Sequence, residues 1–241
     1  MKIFAHRGSS LIWPENTMLA FDNAHNAGAT GFETDLRLSK DGEIILSHDD
    51  KLARFGQIDK TISELTEKEI DSIEIGSRDG QLKDKLISLK SLLQKYPEKD
   101  YIFDCKIPDE LLFVNLKELL SELKFHDRFW FLNWSREGDK RVHDFFPQQQ
   151  SFPRAARTGI WGWLSILGLG HFSEPRNSVL ALPLSFYNLS VFSGRQITSM
   201  SRRKKTFVGY LVNSEKDFRR CKEMGVEVFL TDRPDLIANL M

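Results

Sequence analysis

Four short segments of the 241-residue chain carry the side chains with the most chemistry in them. His6-Arg7-Gly8 closes the apolar run Ile3-Phe4-Ala5, and His48-Asp49 closes Ile44-Ile45-Leu46. Glu33 and Asp35 stand two residues apart within Gly31 to Leu36, and Asp104 and Lys106 repeat that spacing after Tyr101-Ile102-Phe103. Residues two apart on a strand share a face, so each pair presents both charges to one side. Three carboxylates offer oxygen donors only, a set suited to a hard divalent cation such as Mg2+ or Ca2+, with Mn2+ as a third option, rather than zinc. Two histidines beside such a cation supply a proton donor and acceptor near neutral pH. Arg7 and Lys106 add fixed positive charge for the non-bridging oxygens of a phosphate, Arg in bidentate fashion. A metal, an acid, a base and an anion clamp together are what phosphodiester cleavage requires.

These side chains need a frame that brings distant strand ends together. Strand-like runs at Ile3-Phe4-Ala5, Gly31 to Leu36, Tyr101-Ile102-Phe103, Phe129 to Leu132, Val179 to Leu182, Phe207 to Val212 and Val226 to Leu230 alternate with helical stretches. That alternation predicts an α/β fold with a parallel sheet. In a (β/α)8 TIM barrel, which commonly takes about 250 residues, the active site gathers at the C-terminal ends of the strands, where these polar residues fall. Asn16-Thr17 precedes Met18, Leu19, Phe21 and Ala24, so Asn16 or Thr17 caps a first helix that ends near Gly28. Asp41-Gly42 between Leu36-Arg37-Leu38 and Ile44-Ile45-Leu46 is a strong hairpin signal. Residues 49–86 then read as a small insertion after strand 2, with a helix near Ser63 to Ile73, before Leu86 to Leu93 resumes an amphipathic helix. The fifth strand is expected near Arg154 to Arg157, and residues 1–241 read as one domain.

The order and spacing of these residues resemble a known family. His6-Arg7-Gly8, Pro14-Glu15-Asn16-Thr17, Glu33-x-Asp35, Lys40-Asp41-Gly42 and His48-Asp49 are similar to the N-terminal signature of the glycerophosphodiester phosphodiesterases. The likeness runs on through Asp104-x-Lys106, Val212-Asn213, Gly225-Val226 and Thr231-Asp232-x-Pro234-Asp235. It implies a barrel with a small insertion and metal-dependent release of glycerol 3-phosphate and an alcohol. It also implies roles: His6 and His48 as the acid–base pair, Glu33, Asp35 and Asp104 as metal ligands, Arg7 and Lys106 as phosphate contacts, and Glu15 as a further residue near the metal. Two positions depart from the family's pattern. Asp104 stands where Glu is usual, one methylene shorter. Tyr210 stands where Trp is more common, so the aromatic wall against the substrate is smaller or gains a hydroxyl.

Bulk properties narrow the partners. The 34 Lys and Arg balance 34 Asp and Glu, so no global field favours nucleic acid or an anionic membrane. Cys105 and Cys221 make no disulfide framework. The N-terminus lacks the long apolar region of a signal peptide, and no stretch reaches the ~20 apolar residues of a membrane span, so a cytoplasmic location is expected. Trp161 to Leu169 reads first as an unusually apolar barrel helix or an oligomer contact, and second as a lip for a lipid tail or a peripheral membrane contact. Arg202-Arg203-Lys204-Lys205 precedes a strand and so belongs at the opposite face. His25, His126, His143 and His171 join no constellation. Water-soluble glycerophosphodiesters are the expected substrates. A lysophospholipase D-like or sphingomyelinase D-like activity on lysophospholipids comes second, ahead of a Schiff-base lyase using Lys106 or a barrel that binds without turnover.

Overall fold

The computed structural model of the chain describes residues 1–56, 59–153, 160, 164, 179–182, 202 and 204–241. In chain order the strands are β1 (Lys2–His6), β2 (Gly31–Leu38), β3 (Ile44–Leu46), β4 (Glu74–Gly76), β5 (Lys83–Lys85), β6 (Asp100–Cys105), β7 (Phe129–Asn133), β8 (Gln150–Ser151), β9 (Val179–Leu182), β10 (Thr206–Gly209) and β11 (Val228–Thr231). The helices among the described residues are α1 (Met18–Asn26), α2 (Glu67–Ile70), α3 (Leu89–Lys95), α4 (Glu110–Glu122), α5 (Arg136–Phe145), α6 (Glu215–Glu223) and α7 (Pro234–Leu240). Eight strands run parallel in the order β8-β7-β6-β2-β1-β11-β10-β9, while β3 folds back antiparallel on β2. This is the α/β frame of a (β/α)8 barrel.

Strand pleating divides the side chains between two layers. Phe4, Ile102, Val179, Val208, Val228 and Leu230 pack into one interior cluster with Phe152. The alternate residues, Ala5, Phe32, Tyr101, Phe103, Phe129 and Phe131, pack instead against helix residues such as Phe21, Leu92 and Leu116. By the same period of two, His6, Glu33, Asp35 and Asp104 take the parity of the interior cluster at the C-terminal ends of β1, β2 and β6. The loop after β1 turns sharply to expose that end: Arg7 has φ 57° and Gly8 φ 81°. A Cβ on Gly8 would lie 2.6 Å from the Ala20 backbone, so α1 is drawn close beneath the loop only because the side chain is absent.

Several elements differ from the sequence expectation for local reasons. Thr17, not Asn16, caps α1 by accepting from Ala20 N. The helix expected near Ser63 to Ile73 is a 3-10 turn at Ile62–Glu64 followed by the short α2, because Leu65 is extended and the Thr66–Glu69 capping box starts a new helix. Helix α3 starts at Leu89, since Ser88 caps it and Leu86 and Ser88 form bridges to Thr17 and Ile45. Strand β10 stops at Gly209; Leu211 takes φ 56° and Val212 N donates to Leu230 O. Strand β11 begins at Val228 because Gly225 and Val226 close α6. The fifth parallel strand is Gln150–Ser151, paired with Trp130 and Phe131. The expected positions 154–157, His171, Arg203 and most of Trp161 to Leu169 lie outside the described residues.

The excursion between β3 and α3 has its own small core. Leu52, Ile62, Ile70, Ile73 and Ile75 pack with Ile45 and Leu86, and β4 and β5 pair as a hairpin. No helix among the described residues is long and apolar enough to cross a membrane.

Candidate active site

At the C-terminal end of the interior, Glu33, Asp35 and Asp104 are all buried, and one carboxylate oxygen from each lies within 4.8 Å of the others. The parallel register of β2 and β6 sets Asp35 directly beside Asp104. Three buried carboxylates repel one another, and the surrounding cations answer only part of that charge. Arg7 Nε lies 3.0 Å from Asp35 Oδ2, and Lys106 Nζ 3.0 Å from Asp35 Oδ1 while also donating to Asp104 Oδ2. Asn16 donates to Asp35 Oδ2 at 2.7 Å and itself accepts from Thr34, which explains why its side chain is not free to cap α1. Trp134 Nε1 holds the other oxygen of Asp104 at 2.7 Å. A buried cluster of three carboxylates, all oxygen donors and only partly neutralised by Arg7 and Lys106, fits a divalent cation.

The charge states follow from this crowding. Burial raises Glu33, and the nearby Asp35 and Asp104 charges add to it against His6 and Arg7, pushing it up to about 8. Burial likewise raises Asp104, with Asp35 adding and Lys106 opposing. Asp35 is buried as deeply, yet Arg7 and Lys106 outweigh burial and hold it below the usual range. Burial lowers Lys106, but Asp35 and Asp104 overcome this and raise it, so it is a fixed cation. Burial also pulls His6 down, but Glu33 and the bond to Asp232 outweigh it and its pKa is raised.

His6 is fixed by its partners. Nδ1 lies 2.6 Å from Asp232 Oδ1, and Nε2 faces Glu33 Oε2 at 3.8 Å. Asp232 also accepts from Ser10 and Asn213; burial raises it, but these bonds, that of His6 first, hold it at about 2. Glu15 sits behind Arg7, accepting from Arg7 Nη1 at 3.1 Å and from both terminal nitrogens of Arg54. Arg54 reaches on to Asp49, whose other oxygen takes His48 Nδ1 at 2.8 Å. The His48 carbonyl is gripped by Arg37. Thus His6, Arg7, Glu15, Glu33, Asp35, Asp104 and Lys106 form one network, and His48 joins it through Asp49, Arg54 and Glu15. Tyr210 is half-buried against the interior cluster, its hydroxyl pKa raised by burial and by the Glu33 and Asp104 charges.

Asp232, Asn16, Trp134, Asn213 and Arg54 also belong to this network and are not among the site residues expected from the sequence. Asp232 had a visible signal, since it follows the apolar run Val226 to Leu230 at a strand end, as His6 does.

Comparison with known proteins identifies the family. Residues 6–136, more than half of the chain, match the model of the Glycerophosphoryl diester phosphodiesterase family. A glycerophosphodiester phosphodiesterase of Caldanaerobacter subterraneus is 26% identical, over 99% of this chain and 97% of that protein. A lysophospholipase D of Homo sapiens is 22% identical, over 100% of this chain and 86% of that protein. The solved structure of an Oleispira antarctica phosphodiesterase in complex with the product sn-glycerol-3-phosphate superposes with TM-score 0.74 at 20% identity, covering 100% of this chain and 96% of that one. The match from His6 through the carboxylate-bearing strands establishes that the chain belongs to the glycerophosphoryl diester phosphodiesterase family.

Proposed function

We propose that this chain hydrolyses glycerophosphodiesters to glycerol 3-phosphate and an alcohol, using a divalent cation held by Glu33, Asp35 and Asp104. The observation that carries the reading is the buried triad of carboxylates flanked by His6, Arg7 and Lys106 at one end of the barrel. The product in the Oleispira antarctica structure supports the same substrate class. An all-oxygen donor set favours Mg2+ or Ca2+, then Mn2+. When bound, the cation supplies Lewis-acid stabilisation of the charge that grows on the phosphate.

The chain's own groups supply the rest. Arg7 and Lys106 hold the non-bridging oxygens, and Tyr210 walls the site. The P–O bond to the alcohol breaks while the attacking oxygen joins phosphorus, so one proton leaves the attacking oxygen and another joins the departing one. His6 and His48 handle these two protons. With Nδ1 committed to Asp232, Nε2 is the nitrogen of His6 that transfers a proton. Lys106, held charged by two carboxylates, is poorly suited to Schiff-base chemistry.

Glycerol 3-phosphate release after chelation, with Mg2+, Ca2+ or Mn2+ restored singly, tests this reading. Cation-restored release is expected in the parent protein and its loss in Glu33→Ala. Release that survives chelation, or a Glu33→Ala protein rescued at the same cation concentration, would overturn the metal assignment.

A lysophospholipid substrate is a second reading with an observation of its own. Leu11, Ile12, Leu111, Trp134 and Leu211 remain exposed, and each follows the C-terminal end of a barrel strand, around the site. Such a rim would seat an acyl chain. Turnover of a lysophospholipid above that of the matching glycerophosphodiester is the expected sign.

A further inference from the structure

The excursion after β3 folds over the loop that follows β1 and leaves a cavity of about 570 Å³, within the usual range for small-molecule sites of about 300–1,000 Å³. Trp13 and Phe55 line it, with Arg54, Ser77, Arg78 and Gly80 from the excursion. Two residues connect it to the network already described: Ser10 donates to Asp232, and Glu15 pairs with Arg7. A substrate phosphate between His6, Arg7 and the carboxylates therefore has this cavity as its neighbour.

The charged groups in the cavity are not equivalent. Arg54 is spent on Glu15 and Asp49, and its guanidinium also covers the Phe55 ring. Glu15 is neutralised by Arg7 and Arg54. Asp79 accepts from Ser77 and from Gln81 N. Arg78 makes no hydrogen bond among the described residues and comes no nearer than 3.7 Å to Asp232, whose oxygens already take His6, Ser10 and Asn213. Its side chain is about half exposed. The cavity thus contains a guanidinium with donor capacity to spare, and an aromatic wall. A guanidinium repels an ammonium group and binds hydroxyls, and it binds carboxylates in bidentate fashion.

We infer that this cavity is the subsite for the departing alcohol and that Arg78 selects glycerol and inositol by their hydroxyls, and serine by a carboxylate that offsets its ammonium group, over choline, which has a cation and no carboxylate. The inference rests on the phosphodiesterase reading above and names the specificity of that same site. Arg78 acts on the alcohol, not on the reacting phosphate.

The test is kcat/KM for glycerol 3-phosphate release from glycerophosphoglycerol, glycerophosphoinositol, glycerophosphoserine and glycerophosphocholine, in the parent protein, Arg78→Gln and Arg78→Lys. The parent should favour the first three. Arg78→Gln should cut kcat/KM for those three by about 10-fold or more, the loss of a hydrogen bond to a charged group, and change the choline substrate by less than about 3-fold on the same scale. Arg78→Lys should restore part of the loss. A uniform fall across all four substrates would overturn the inference, because it places Arg78 on the common phosphate or in the fold. Unchanged values would overturn it too, by removing Arg78 from the site. Silence of the parent protein on all four overturns the phosphodiesterase reading itself, a result distinct from either.

Discussion

Because Asp232 takes Nδ1 of His6 and leaves Nε2 toward Glu33, the tautomer and aim of the imidazole depend on a residue 226 positions away in the chain. Replacing Asp232 by Asn keeps the shape but offers the ring a neutral partner that can present either an oxygen or an amide. His6→Ala should lower kcat by about 10²–10⁴-fold if the ring transfers a proton. Asp232→Asn should lower kcat by at least about 10-fold but by less than His6→Ala, with KM little changed, since the ring remains in place but less well oriented. Equal activity of Asp232→Asn and the parent, measured as kcat across a pH series, would show that His6 needs no such partner. The strand-end residues were legible in the sequence because a period of two fixes their common face: Glu33 with Asp35, and Asp104 with its near neighbour Lys106. Their partners Asn16 and Trp134 were not, because they come from other segments and Asn16 reads locally as a helix cap, while Asp232 showed its strand-end position but not its pairing with His6.

At the scale of elements, the excursion between β3 and α3 is held by a handful of aliphatic side chains, and it carries Arg54 to Glu15 and Arg78 to the cavity. Ile62 is fully buried at its centre. Ile62→Ala removes that packing at a cost of about 2–5 kcal/mol. The loss should fall on this small cluster before the barrel. Amide exchange should therefore quicken over Leu52 to Ile75 while β6 stays protected, and turnover should fall as Arg54 loses its hold on Glu15. Exchange that quickens equally in β6 would show that excursion and barrel unfold as one. The sequence marked this stretch as a polar insertion but not its internal order. Its elements are too short for periodicity to register, and the Thr66–Glu69 box divides what the residue pattern joins into one helix. Seven of the eight parallel strands were legible from their largely apolar runs, and the fifth, Gln150–Ser151, was not, because it has no such run. Their ends were displaced where backbone geometry intervenes, as at Leu211 and Gly225, both with positive φ.

On the scale of the whole molecule, the carboxylate cluster joins β2 to β6, and its register places Asp35 beside Asp104 in adjacent strands. Charge that is buried there without full compensation opposes folding, and Arg7 and Lys106 relieve it mainly at Asp35. Glu33, pushed up to about 8 by burial and by its acidic neighbours, is the carboxylate left least satisfied. A cation that binds only the folded cluster should stabilise the entire fold by mass action, by about 2.7 kcal/mol at a free concentration a hundred times its dissociation constant. For a chain of this size that is a rise in Tm of roughly 5–11 °C. Thermal unfolding of the chelated protein, followed with Mg2+, Ca2+ and Mn2+ added singly, should show such a rise for the cation that also restores turnover. Glu33→Ala should lose the rise although its own chelated Tm is no lower than the parent's, because one buried carboxylate has been removed along with a ligand. A variant that keeps the full rise would exclude Glu33 from the cation site. The absence of any rise in the parent at saturating concentrations would mean that Arg7 and Lys106 alone balance the cluster in the folded protein.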